Sequence, residues 1–592
     1  MSQTQIEPIF SQGVGYGVVV GLGAAFAIGM SMVSLFLSKY FAEKQDSEMF
    51  MTAKHSVKTG LTASAVVSSW TIATTLLSST SYGYSYGVSG PFWYGAGASV
   101  QILLFSVAAI ELKRKAPNAQ VHTVVIFVIM LMSAFVVYST SSVIGSSDKM
   151  WELLTTASEL HPVEGNAEGS YLTMRSVEGG YIGLVFVGAG FAAAVDSQLF
   201  QKAIASDPAG TLGGYLLGGT SWFTIPFVLA TTFGLTAAAT EHLPSFPTYP
   251  NRMNSYEVAS GLAMPYGALS VMGKGGAFAI LASQNLSLMV FMAVTSAMSS
   301  ETVATTALLT YNFYQSYINP KATGKQLLRF SNFVVPGFAL VASSIAVGLN
   351  HAGFSVSFLI TISGILVDSA IVPMACTIMW SKQSKFAVIA SPTISSACGI
   401  LAWLLTARST EGVLTIATLS TNLPLVAGNM CSLCAPLVLT PLFTLIRPEN
   451  YDFEKFKEVK AADEYKDGDD DRVQESDIQA EYEMEAARTH DEKNEKILFR
   501  ARKWAIIASI VMTLAYLILW PIPMYATSYA GTITLLPIWE SRDSLAKFAR
   551  YIFSGKISKT NPQVTIGMQP ENDFSGSVVE GVLEKNIAKA SD

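Results

Sequence analysis

Stretches of roughly 20 apolar residues, each long enough to cross a bilayer as a helix, recur about twelve times along this chain of 592 residues. They run approximately over 14–37, 58–87, 91–112, 121–144, 178–200, 212–237, 277–315, 330–350, 354–380, 385–406, 424–446 and 502–526. Inside a bilayer every backbone polar group must be satisfied within the protein, and a helix does this within one segment. The chain is therefore expected to be all-α and polytopic. Charge supports the same reading: only 14% of residues are charged, against roughly a quarter in soluble chains. They are concentrated in wet segments, above all 451–500. A net charge of −6 gives no footing for nucleic acid.

The basic residues orient the spans, because Lys and Arg gather on the cytoplasmic side. The N-terminal tail has none and is expected outside. Lys39, Lys44, Lys54 and Lys58 follow the first span. Lys113, Arg114 and Lys115 follow the third, and Lys202 follows the fifth. Lys321, Lys325 and Arg329 follow the seventh, Lys382 and Lys385 the ninth, and Arg447 the eleventh. The alternation fails once. Arg542, Lys547, Arg550, Lys556 and Lys559 lie where an outside segment is expected, so a helix that should precede them is absent or the tail departs from the rule.

These features divide the chain into a transmembrane core (1–446), a charged cytoplasmic loop (447–501), a further span (502–526) and a C-terminal tail (527–592). The N-terminus lacks a basic n-region, so its first span is read as an uncleaved anchor. Gly17 and Gly21 form a GxxxG within it, a mark of close helix packing. Cys376, Cys398, Cys431 and Cys434 all lie in apolar stretches. The Cys431–Cys434 C-x-x-C has no partner ligands nearby and reads as small residues between helices rather than a metal or redox site.

No metalloprotease, P-loop or nucleophile-elbow motif occurs, so neither an enzyme nor an ATP-driven pump is expected, and no cofactor is implied. The informative residues are polar ones inside spans. Ser68, Thr71 and Thr75 share one helical face, as do Ala293, Ser296, Ala297 and Ser300. The two long segments that carry them, 58–87 and 277–315, are rich in Ser, Thr and Gly, and each is either a span with an extension or a broken helix. Hydroxyls and the free carbonyls of a helix break can coordinate a monovalent cation; alternatively, Ser and Thr bond back to their own helix. Asp196, Glu301 and Asp368 are carboxylates at membrane depth and candidates for ion or proton coupling. His122 lies near a span end and reads as interfacial.

Longer motifs then appear in order: SYGVSGPFWYGAGASVQILLF, ELKRKAPNA, FQKAIAS, YLLGGTSWFTIPFVLATTFGL, FPTYPNRM, EVASGL, GKGGA, AVTSAMSSE and LLTYNFYQSYINPKATG. From about Gly13 to Trp539, with gaps, the chain resembles the urea-permease branch of the sodium:solute symporters. That resemblance implies a LeuT-like core of two five-helix inverted repeats and plasma-membrane symport of urea, or also polyamines, driven by H⁺ or Na⁺. It implies a cation site at Ser68, Thr71, Ala293, Ser296 and Ala297, and a substrate site at Thr75 and Asp196. Tyr82 and Trp93 are chemically suited to line a urea site. Ala297 stands where relatives often carry a hydroxyl, which leaves proton coupling open. Asp196, Gln201 and Lys202 match the family's D-Q-x-x-x-Q-R, with Ser197 in place of the first Gln and Lys202 in place of Arg. Ala189 stands where relatives often carry a polar residue.

Two departures are larger. After Pro117-Asn118-Ala119 the family has a further stretch holding the third and fourth core helices, and after Tyr525 it has a final span before Leu536-Pro537-Ile538-Trp539. Both are missing here. Such losses expose packed faces and polar groups, so the chain as written is expected to transport poorly. The alternative to a transporter is a transport-deficient paralogue, a splice form or a nutrient sensor of the same family.

Overall fold

A threonine hydroxyl interrupts the first described helix. The computed structural model describes residues 59–115, 136–206, 210–281, 289–320, 322–453 and 497–526, with Gly21, Ala24, Ile28 and Met32. The rest of the first span, His122, most of the charged loop, the basic tail and the junctions at 119–121 and 526–536 lie outside the described residues. The chain divides into two units, Met1–Thr534 and Leu535–Asp592, and the first carries every element below.

The helices are α1 (Thr59–Trp70), α2 (Ala73–Tyr86), α3 (Ser89–Lys115), α4 (Ser147–Leu160), α5 (Val177–Ala192), α6 (Ser197–Ala205), α7 (Thr211–Thr224), α8 (Ala230–Thr240), α9 (Ala263–Leu281), α10 (Met289–Ala307), α11 (Gly324–His351), α12 (Val356–Val367), α13 (Ile371–Met379), α14 (Lys385–Glu411), α15 (Asn422–Ile446) and α16 (Ile497–Leu519). Among the described residues there is no strand, and eight helical stretches are long and apolar enough to cross a bilayer. The protein is thus a polytopic all-α membrane protein. The twelve expected spans and these eight differ for two reasons. The first span, most of 121–144 and residues 282–288 of 277–315 lie outside the described residues, and 58–87 is divided into two shorter helices.

Three pairs of helices are single spans, two of them broken at mid-course and the third tightened by a 3₁₀ turn. Between α1 and α2 the Ile72 amide turns to the Thr75 hydroxyl at 3.3 Å, and that hydroxyl donates to the Trp70 carbonyl at 2.8 Å. One side chain thus bridges both sides of the gap. Between α5 and α6 a 3₁₀ turn, Ala193–Val195, leads into Asp196, whose extended backbone (φ −69, ψ 126) starts α6 afresh. Between α12 and α13 a 3₁₀ turn, Asp368–Ala370, precedes Pro373. Proline lacks the N–H that would bond to residue 369, and its ring crowds that carbonyl, so the helix tightens there while its backbone stays right-handed. Pro226 similarly accompanies the π turn Ile225–Leu229 joining α7 to α8. The expected span 178–200 is thus interrupted at Asp196, whereas 354–380 is one span, Val356–Met379, with a tightened turn inside it.

The interior is built by α2, α3, α5, α7 and α8, and aromatic rings fill it. Phe92, Phe223 and Phe227 meet Trp520 at the end of α16. α14 packs along α15, which in turn packs on α5 and α12. α11 is the exception. It packs chiefly on α10 and its π continuation Leu308–Ile318, and only 6% of its apolar window is buried. It exposes Phe333 and Leu340, and also Asn332, Ser343 and Ser344. Exposed apolar residues suit lipid, and the Ser344 hydroxyl is satisfied within its own helix, donating to the Leu340 carbonyl at 2.8 Å.

Candidate functional site

The break between α1 and α2 faces α10. Ser68 and Ser296 come from these two elements and their hydroxyls hydrogen-bond to each other. Beside them Thr71 is fully buried and its hydroxyl donates back to the Val67 carbonyl at 2.7 Å. Ala293 is fully buried one turn before Ser296. The Ser296 carbonyl accepts from the Ser300 hydroxyl at 3.2 Å. Both readings of these hydroxyls therefore hold in part: Thr71 and Ser300 bond to their own helices, while Ser68 and Ser296 meet across the interface. Ala297 adds only a methyl to this face.

Thr75 is 1% exposed. Its hydroxyl is already engaged in bridging the helix break, so any solute it contacts must compete with Ile72 and Trp70. Around it stand aromatic walls. Tyr94 lies beside Thr74 and Thr75, its ring 4.0 Å from that of Phe186, and Tyr82 packs on Tyr86, Tyr94 and Phe186. Trp93 lies over Gly183, where an added Cβ would come within 3.0 Å of its ring. A small planar solute with donors and acceptors fits such surroundings of hydroxyls and rings.

The second break carries charge. Asp196 caps α6 by accepting from the Gln198 amide at 3.0 Å, and its other oxygen accepts from the Gln198 side chain. Gln198 Nε2 also donates to Glu301 on α10 at 3.1 Å. Lys202, 6% exposed, donates through Nζ to Gln198 Oε1 at 3.3 Å. One amide thus joins two carboxylates and a lysine from two helices. With all three ionised the cluster carries one net negative charge, and a single cation or proton neutralises it. Gln198 was missed in the sequence, where the family pattern drew attention to Ser197 at the preceding position. The Gln201 side chain lies outside the described residues.

Asp368 stands apart from both groups. It lies at the 3₁₀ turn between α12 and α13, against the end of α5 at Ala192, and is wholly buried. Asn429 on α15, also wholly buried, shares its surroundings. It too was missed, though an amide within an apolar span is a signal of the same kind as a carboxylate. A cavity of about 620 Å³ lined by Val136, Ser141, Ser245, Leu269 and Gly273 shares no residue with these groups. Among the described residues no cluster of His, Cys, Asp and Glu is suited to a metal.

No family model matches the chain. Whole proteins do. A Schizosaccharomyces pombe protein named probable urea active transporter 1 is 38% identical over 98% of this chain and 99% of its own length. That coverage decides the matter. The chain belongs to the urea active transporter family. The Saccharomyces cerevisiae urea active transporter is 31% identical over 94% of this chain and 96% of its own, and the rice urea-proton symporter DUR3 is 33% identical over 93% and 87%. A solved Na⁺-coupled sialic acid symporter shares 16% identity, covering 74% of this chain and 99% of its own, at a TM-score of 0.38. The alignment with the fission-yeast family member runs over 687 residues on a chain of 592, so that relative carries segments this chain lacks.

Proposed function

We propose that the protein carries urea across the plasma membrane, driven by a gradient of H⁺ or Na⁺. The observation that carries this reading is the contact of Ser68 with Ser296, which joins a broken helix to α10 in a chain of this family. Oxygens at helix breaks are how such transporters hold a coupling cation without a dedicated metal site. In this reading Ser68, Thr71, Ala293, Ser296 and Ala297 form the cation site, with backbone carbonyls from Ser68, Thr71 and Ala293 and the hydroxyl of Ser296, while Ala297 adds no hydroxyl. Thr75 and Asp196 contact urea, with the Tyr82, Tyr94 and Phe186 rings as walls. Glu301, tied to Asp196 through Gln198, couples solute to cation. The name of the rice relative and the methyl of Ala297 favour H⁺. The N-terminus faces outside, residues 1–446 form the transporting core, and 447–501 form a cytoplasmic loop.

Uptake of radiolabelled urea by cells lacking their own permease tests this directly. Expected is uptake above empty-vector cells, abolished when the cation gradient is collapsed. Uptake equal to the empty vector, with the protein at the surface, contradicts it. A second reading, a transport-deficient form of the same family, is favoured by one specific observation. α11 is almost uncovered and presents polar side chains, in a chain shorter than its alignment with the fission-yeast relative.

A further inference from the structure

The 3₁₀ turn between α12 and α13 holds a carboxylate that the cation and urea sites do not use. Asp368 is wholly buried, and no side chain hydrogen-bonds to either carboxylate oxygen. The backbone of Ala192 is the one polar group that acts on it. Charged side chains on the elements packed around it are Glu178 on α5 and Lys385, Arg408 and Glu411 on α14. All lie at helix ends and none acts on Asp368. The other titratable groups on these elements, Tyr181 and the four cysteines, do not act on it either.

Asn429 supplies the second, independent observation. Its Nδ2 donates to the Thr361 carbonyl at 3.0 Å and to the Leu425 carbonyl at 2.8 Å. Those two bonds fix the amide and leave Oδ1 buried with no donor. Asn429 Oδ1 and Asp368 Oδ2 both lie 3.0 Å from the point where a Cβ on Gly188 would sit. The two acceptors thus border the same small space beside Gly188, and no side chain donates to either. A proton on one carboxylate oxygen removes the buried charge and gives the neighbouring amide oxygen a donor. The space is narrow as well: a Cβ on Gly364 would lie 2.0 Å from Asn429 Oδ1 and 2.7 Å from the Ala189 backbone. Such close-packed helix faces admit a hydrogen and not a coordinated metal ion.

We propose that Asp368 and Asn429 form a proton-carrying pair, separate from the Ser68–Ser296 contact, in which the Asp368 carboxyl holds the transported proton and Asn429 Oδ1 accepts its hydrogen. This deepens the cation-coupled reading above by naming where a proton resides. Loading adds one proton from the medium to an Asp368 oxygen and converts carboxylate to carboxylic acid. Release returns that proton to the medium on the opposite face and regenerates the carboxylate. The pair joins α5, the α12–α13 turn and α15, so loading removes a charge from the junction of these spans.

Infrared difference spectroscopy on the purified full chain in lipid nanodiscs tests the pair without requiring transport. Wild type at neutral pH is expected to show the carbonyl stretch of an un-ionised carboxylic acid. Asp368→Asn, nearly the same shape, should lose that band, and Asn429→Ala should shift it. If Asp368→Asn does not fold, carboxyl-labelled aspartate in wild type moves the same band by isotope. A spectrum holding only carboxylate bands at this residue overturns the proposal. Urea uptake separates the two claims: an acid band in a protein that takes up no urea sinks the transport reading and leaves the proton pair standing. Uptake without the band does the reverse. In a transporting protein, Asp368→Asn should lose the dependence of urea accumulation on the pH gradient, and retention of that dependence counts against the pair.

Discussion

Glu241 and Asp368 are both buried carboxylates, 6% and 0% exposed, yet they live in opposite circumstances. Glu241, just past α8, accepts from the Tyr84 hydroxyl, from Arg252 Nε at 3.0 Å and from the Met253 amide at 3.0 Å. Arg252 also lies 5.4 Å over the Tyr84 ring. Burial works against the Arg252 charge, but Tyr84 and Glu241 outweigh it and hold the guanidinium above its ordinary range. Every bond this carboxylate needs is made, and the loop 241–253 is pinned to the end of α2. Asp368 has none of these partners. A buried charge persists only when paired and hydrogen-bonded, so the first carboxylate reads as a structural pin and the second as a group whose protonation changes.

The contrast can be broken by mutation. Glu241→Ala should have the largest effect, about 2–3 kcal/mol of lost stability, because it strands a buried hydroxyl and an amide, while the half-exposed Arg252 turns to water. Thermal unfolding of the detergent-solubilised protein measures it, and a melting curve like wild type would remove the distinction. Thr75→Val should cost about 1–3 kcal/mol by stranding Trp70 and Ile72 at the helix break, while Thr75→Ser should keep most of that stability and its urea uptake. Equal behaviour of the two variants would argue against the bridging role. Ser296→Ala should cost about 1 kcal/mol and raise the cation concentration needed for half-maximal urea uptake. Asp368→Asn should change stability by less than about 0.5 kcal/mol, since it replaces one neutral group by another. A large gain instead would mean that an unpaired charge had been removed.

The smallest effect concerns acid. Burial holds His242 below the ordinary imidazole range, with Glu241 opposing and His161 adding to it. Its neutral form is therefore favoured by folding, and that contribution is present above the unfolded value and lost as pH falls through it towards the folded one. His242→Gln should flatten the acid side of the melting temperature against pH. An unchanged slope would assign the acid sensitivity elsewhere.

Span positions and the inward-facing hydroxyls were legible in the sequence because hydropathy and helical spacing act locally. Ser68 and Ser296 were grouped by the family resemblance rather than by spacing, and their hydroxyls meet across α1 and α10. The break at Asp196 and the tightened turn at Asp368 were not legible, because a 3₁₀ turn of three residues leaves hydropathy unaltered; Pro373 was the available hint. Gln198 and Asn429 escaped for a different reason. An amide in an apolar span gains meaning only from what faces it, and Glu301 and Asp368 lie far away in sequence. The exposure of α11 depends on packing, which hydropathy alone does not carry.

Purified protein reconstituted in liposomes, with a proton gradient imposed and no sodium present, tests the central claim most directly. Urea should accumulate inside above its external concentration and leak back when the gradient is dissipated. Urea that merely equilibrates, at the rate of protein-free liposomes and whatever gradient of H⁺ or Na⁺ is applied, would contradict cation-coupled transport by this chain.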